Sequence, residues 1–199
     1  MIRRRTLMAA LPTAAAAGAL SAGRADARTA DAAARGVSVV AADELGENER
    51  AEHEAYLAAA LDLAAEGPGP FATVIVDRTA GRIVCQGVNR ARESRVLHGE
   101  IVALLSCADL APPVDWRGLT LYTTAEPCPM CMSAIVWHRI PELVYGTSVG
   151  DLIAMGVNQF HLDSPTVAAS APFYRGRIVT GVLRERADAF YRDWASRRR

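Results

Sequence analysis

The chain contains no lysine: all 22 of its basic residues are arginine. A lysine Schiff base, a phosphate-binding P-loop lysine and a serine–lysine nucleophile are thereby excluded. It also lacks an excess of either charge, since 22 Asp and Glu balance the arginines across 199 residues. That balance argues against a dedicated nucleic-acid binder, whose phosphate contacts require a basic surplus. No internal repeat is visible, and past the N-terminus no apolar run approaches the ~20 residues of a membrane span. With only four cysteines, 15 glycines and 10 prolines, disulfide-rich miniprotein and collagen classes fall away. What is present is 51% hydrophobic residues in a length suited to one domain, enough for a buried core.

The first residues read as an address. Arg3, Arg4 and Arg5 precede an Ala-rich apolar stretch from Leu7 to Ala22, and a small-residue cleavage pattern stands near Ala25–Ala27. Arg4-Arg5 with Thr6 and Leu7 after them resembles a twin-arginine export signal. Pro12 and Gly18 argue against a permanent membrane helix, and a plain Ala/Arg extension is the alternative. The expectation is a signal over 1–27, a flexible Ala/Asp/Gly-rich linker over 28–46, and the functional domain over 47–199. The protein would then be exported, periplasmic, with no membrane association after processing; without a working signal it would be cytoplasmic. Residues 28–199 hold 18 Arg against 21 acids, a slight negative charge that further opposes a polyphosphate partner.

Apolar residues from Ala51 to Ala65 recur at helical spacing, and Gly67-Pro68-Gly69-Pro70 ends that helix. Residues 71–77 and 82–88 read as the arms of a hairpin turning at Thr79–Gly81. A helix is expected over 99–110, a strand over 119–124, and a further helix with Pro127 in its first turn. Residues 142–146 form another strand candidate, and 183–196 a terminal helix with Phe190 and Trp194 four apart. Alternating strands and helices predict a three-layer α/β/α domain around a central sheet.

Two motifs carry chemistry. His98-Gly99-Glu100 opens one helix, and Glu126-Pro127-Cys128-Pro129-Met130-Cys131 opens the next. Cys128 and Cys131, three apart, put both sulfurs on one side of a helix. One imidazole and two thiolates suit zinc and leave its fourth position open, as an activating rather than a purely structural site requires. Glu100 is then the proton carrier. Taken alone, the CxxC would also fit a redox dithiol, and His98 and Glu100 a helix start. Cys85 and Cys107 read as buried packing residues, and His53, His138 and His161 lack ligand spacing.

A His-x-Glu followed by Pro-Cys-x-x-Cys is the zinc deaminase signature. The chain resembles the cytidine deaminase-like superfamily from Phe71 to about Gly156. The resemblance implies a central mixed sheet, a Zn2+ cofactor held by His98, Cys128 and Cys131, and a small nucleobase or nucleoside as substrate. It implies that zinc-bound hydroxide attacks an amidine carbon while Glu100 moves the proton to the ring nitrogen and then to departing ammonia. It also implies a homodimer, and Asn89 and Phe71 as substrate contacts, although Asn89 also suits a turn and Phe71 core packing. The Asn89-to-His98 segment lacks the family's usual Asp-Pro-Thr.

Three stretches resemble guanine deaminase. They are Ala134-Ile-Val-Trp137-His-Arg139, the loop bearing Asp151, and Ala171-Pro-Phe-Tyr174 leading to the Phe190/Trp194 helix. In that family the tail crosses to a partner and covers its site. Asp151 and Trp137 are accordingly expected at the substrate, with a helix cap and core packing as their alternatives. Leu97–Ile101 and Leu119–Thr124 also resemble fungal-type cytosine deaminase. The leading expectation is guanine to xanthine plus ammonia. Cytosine or nucleoside deamination follows, then tRNA adenosine deamination, and a non-catalytic zinc-binding protein comes last.

Overall fold

The computed structural model describes residues 36–110 and 112–197. Six strands form one sheet: β1 (Val37–Ala41), β2 (Ala72–Asp77), β3 (Arg82–Val88), β4 (Leu119–Ala125), β5 (Glu142–Thr147) and β6 (Gly176–Thr180). Their order is β1-β6-β5-β4-β2-β3. The first four in that order run parallel, and β2 and β3 close the sheet as an antiparallel hairpin.

Strand alternation builds the layers. Ile75, Leu121, Leu143 and Ile178 face one side, where α2 (Gly99–Ala108) and α3 (Pro129–His138) add Ala103, Leu104, Met132 and Ile135. Their neighbours Val74, Tyr122, Val144 and Val179 face the other side, covered by Leu57 and Ala60 of α1 (Glu47–Glu66). Three shorter or later helices complete the domain: α4 (Val149–Ala154), α5 (Ser164–Ala169) and α6 (Arg184–Ser196). The expected three-layer α/β/α fold with a mixed sheet is what the chain forms. Among the described residues no helix is long and apolar enough to cross a membrane.

Two sequence expectations need correction here. Residues 37–41, assigned to the linker, are a sheet strand in parallel register with 176–180, and Val37 is fully buried. The pairing spans most of the chain, so no local pattern announces it. Pro127 precedes α3 rather than entering it; Cys128 is the N-cap and Pro129 the first helical residue. The expected signal, residues 1–27, and linker residues 28–35 lie outside the described residues, as do Arg198 and Arg199.

Gly87 brings β3 and α2 together. A Cβ there would stand 2.4 Å from the Ala103 nitrogen and the Gly99 carbonyl oxygen. Only a glycine lets the first turns of α2 lie this close to the sheet, which fixes where His98 and Glu100 project.

Candidate active site

His98 is the N-cap of α2, Cys128 is the N-cap of α3, and Cys131 lies in the first turn of α3. Two helix N-termini therefore converge on one point, and their unpaired N–H groups favour negative charge there. His98 Nδ1 stands 3.6 Å from each sulfur, and the sulfurs are 3.7 Å apart. A tetrahedral zinc, with Zn–S of about 2.3 Å and Zn–N of about 2.0 Å, spaces two sulfurs by about 3.8 Å and sulfur from nitrogen by about 3.5 Å. The donor triangle fits zinc in both identity and dimension.

Electrostatics point the same way. The hydrogen bond between the two sulfurs, with His98 beside it, holds the Cys128 thiol down at about 4; Cys131 is pushed up in return. Contact with Cys128 raises His98. Glu100, buried against Cys131, is pushed up by desolvation to about 7, a poise suited to exchanging protons near neutrality.

The triangle opens onto a cavity of about 430 Å³ lined by Phe71, Asn89, Glu126 and the segment Val157–Phe160, besides His98, Glu100 and Cys128. Of the expected residues, the fold thus brings together His98, Glu100, Cys128, Cys131, Asn89 and Phe71. Phe71 is steadied by Tyr191 and Trp194 of α6, with ring centroids 5.2 and 6.2 Å away. The side chain of Asn89 accepts a hydrogen bond from the Ala91 N–H at 2.9 Å, so it also shapes the turn.

Trp137 and Asp151 do not line this cavity, which corrects their expected placement. Trp137 lies six residues after Cys131, about 9 Å down the helix and turned away from it. It is 73% exposed and rests on Phe173. Asp151 lies in the first turn of α4 behind the N-cap Ser148, accepting from the Ser148 hydroxyl at 2.6 Å and pairing with Arg184 at 2.9 Å. The terminal helix does not reach away from its own domain either. Tyr191 is fully buried, its hydroxyl 2.7 Å from that of Thr124 and donating to the Pro70 carbonyl.

Three features escaped the sequence reading. The Glu126 side chain is buried, accepting from the backbone N–H groups of Val149 and Ser164 at 2.8 and 2.7 Å, so it clamps α4 and α5 beside the site. Asn158 and Gln159 enter the cavity wall. Finally, Cys85 and Cys107 are not merely packed: they form a disulfide between β3 and α2. That bond encloses a segment containing Asn89, His98 and Glu100. Adjacency in β3 and α2, not sequence spacing, makes the pair.

A second group, Glu49, His53 and Glu142, also gathers three potential ligands. Its centre holds the Arg177 guanidinium, which bonds both carboxylates, and Arg78 approaches Glu142 at 3.5 Å.

Residues 47–147, half of the chain, match the family model of the cytidine and deoxycytidylate deaminase zinc-binding region. The chain belongs to this family. It is 32% identical to the guanine deaminase of Bacillus subtilis over 62% of this chain and 85% of that one. It is 33% identical to a tRNA-specific adenosine deaminase of Rickettsia felis over 58% and 78% of the two chains. Among solved structures it resembles the guanine deaminase of Nitrosomonas europaea, with a TM-score of 0.58 and 30% identity over 72% of this chain and 84% of that one. The protein is a zinc-dependent aminohydrolase of the deaminase family.

Proposed function

We propose that the protein deaminates guanine to xanthine and ammonia. The observation that carries the reading is the His98–Cys128–Cys131 triangle with buried Glu100 beside it at the floor of the cavity. The guanine deaminases among its relatives support the choice of base. Zinc held by the triangle supplies a Lewis acid that makes water nucleophilic at neutral pH. Glu100 takes one proton from the attacking water and passes it to the ring nitrogen next to the amino-bearing carbon, then takes the second from the hydroxyl now on that carbon and delivers it to the amine. The C–N bond breaks, a carbonyl forms, and ammonia leaves. Phe71 offers the flat base an aromatic wall, and Asn89 a polar contact at its rim.

The tRNA adenosine deaminases among the relatives support a second reading. The cavity wall opposes it, because among the described residues no arginine lines it to hold a phosphate backbone. Ammonia release by the zinc-loaded protein across guanine, guanosine, cytosine, cytidine, adenine, adenosine and a tRNA anticodon stem decides between them. Guanine turnover supports the proposal; activity on tRNA alone replaces it; silence with full zinc revives a non-catalytic zinc protein.

Export is part of the proposal, supported by the twin-arginine-like start and by a disulfide of the kind that persists in oxidising compartments. Recovery of the mature protein from the cytoplasm with residues 1–27 intact would sink it. A homodimer is proposed on family resemblance alone, and light scattering distinguishes one chain from two.

A further inference from the structure

The segment after α4 supplies one wall of the cavity, through Val157, Asn158, Gln159 and Phe160. The polar groups around that cavity differ in how far they are already committed. Glu126 spends both carboxylate oxygens on backbone N–H groups. Glu100 is buried beside the donor triangle. The Asn89 oxygen is taken by Ala91, which leaves its –NH2. The Asp151 carboxylate is held by Ser148 and Arg184, away from the cavity lining. Asn158 and Gln159 line the cavity, and their carboxamides make no hydrogen bond within the described residues. No Arg lines it.

A carboxamide presents one acceptor and one donor side by side. Its complement is a ring N–H adjacent to a ring carbonyl, a lactam edge. A carboxylate in the same place would demand two donors, and a guanidinium would select anions. We infer that Gln159 and Asn158 are the specificity residues that read a lactam edge, and that the substrates are uncharged heterocycles joining an amino-bearing amidine carbon to that edge. This deepens the proposed function and rests on it. Guanine belongs to the class through its N1–H and O6. The smallest member is isocytosine, which carries the same amino-lactam unit without an imidazole ring; water converts it to uracil and ammonia. A phosphate on the substrate has no partner here.

The test compares guanine, isocytosine and 2-aminopurine, the last being guanine's ring system without the lactam. Zinc-loaded wild-type protein should turn over isocytosine and prefer guanine to 2-aminopurine by about 100-fold or more, because a site built to hydrogen-bond a group rejects the analogue lacking it. Gln159→Ala and Asn158→Ala should keep full zinc, and at least one should cut that preference to below about 10-fold, chiefly through KM. Guanine binding to the inactive Glu100→Gln protein gives a readout independent of turnover, and Gln159→Ala in that background should weaken it about 10-fold or more. An unchanged guanine to 2-aminopurine ratio in both alanine variants overturns the inference while leaving the deaminase reading intact. So does guanine turnover without any isocytosine turnover. Silence on every base with full zinc overturns the deaminase reading and this one with it.

Discussion

Among the described residues two clusters each bring three potential metal ligands within 4.8 Å, yet only one of the two is built to hold a metal. At Glu49–His53–Glu142 the positive charge is already supplied: Arg177 bridges the two carboxylates, Arg78 joins from outside, and the Thr120 hydroxyl donates to Glu142 at 3.0 Å. At His98–Cys128–Cys131 no arginine of the described residues enters, the donors are spaced for tetrahedral zinc, and two helix N-termini favour thiolate. Ligand count alone does not distinguish the clusters. What separates them is whether the protein has already neutralised the charge, and whether the centre opens onto space for a substrate.

The largest effects should come from the open cluster. Cys131→Ala removes a ligand from a three-donor set, so elemental analysis should find its zinc lost, while His53→Gln and Glu49→Gln retain one zinc per chain. Zinc that leaves with a change at His53 would erase the distinction. Glu100→Gln tests the same site differently: zinc should stay, and deamination should fall about 10²- to 10⁴-fold, the usual contribution of a positioned proton carrier. Retained turnover would reject Glu100 as the shuttle.

These assignments show what the sequence could and could not reveal. His98, Glu100, Cys128 and Cys131 were legible because metal chemistry demands fixed residue types at helical spacing. The β2–β3 hairpin was legible too, being local and alternating. What stayed hidden depends on distant pairing. Val37–Ala41 becomes a strand only by lying beside Gly176–Thr180. Cys85 and Cys107 meet because Gly87 lets α2 pack tightly on β3. Asp151 sits in the loop that resemblance indicated, but Ser148 and Arg184 hold its carboxylate, and Asn158 and Gln159 reach the cavity in its stead.

The cysteines sharpen the contrast at a middle magnitude. Cys85 and Cys107, 22 residues apart, are bonded, whereas Cys128 and Cys131 are free. Replacing the bonded pair by serine should lower unfolding free energy by about 3 kcal/mol on the chain-entropy account. Because the closed segment contains His98 and Glu100, zinc should also pass to a chelator faster. Urea denaturation with a parallel chelator assay reads both, and unchanged stability would mean the bond is not formed in the protein. On the closed cluster, Glu142→Ala leaves Arg177 and Thr120 without a buried partner. It should cost about 2 kcal/mol, less than a fully buried pair because the Arg177 side chain is 30% exposed. Zinc content should not change.

The smallest effect is a pH slope from His53. Burial lowers its pKa, opposed by Glu142, Glu49 and Glu52 and assisted by Arg177, while its Nδ1 pairs with the Tyr122 hydroxyl at 3.0 Å. A histidine held below its ordinary value binds protons more weakly folded than unfolded. Its contribution to stability is therefore complete above the unfolded value of about 6.5 and is lost as pH falls through the lower folded value. Melting temperature should accordingly drop more steeply between pH 7.5 and 5.5 in the wild type than in His53→Gln, by a few degrees at about this domain size. Both proteins should keep their zinc at pH 7.5, which separates a charge effect in the closed cluster from any disturbance of the open one. Parallel slopes would mean that Arg177 and the carboxylates, not the imidazole, set the acid sensitivity of this face.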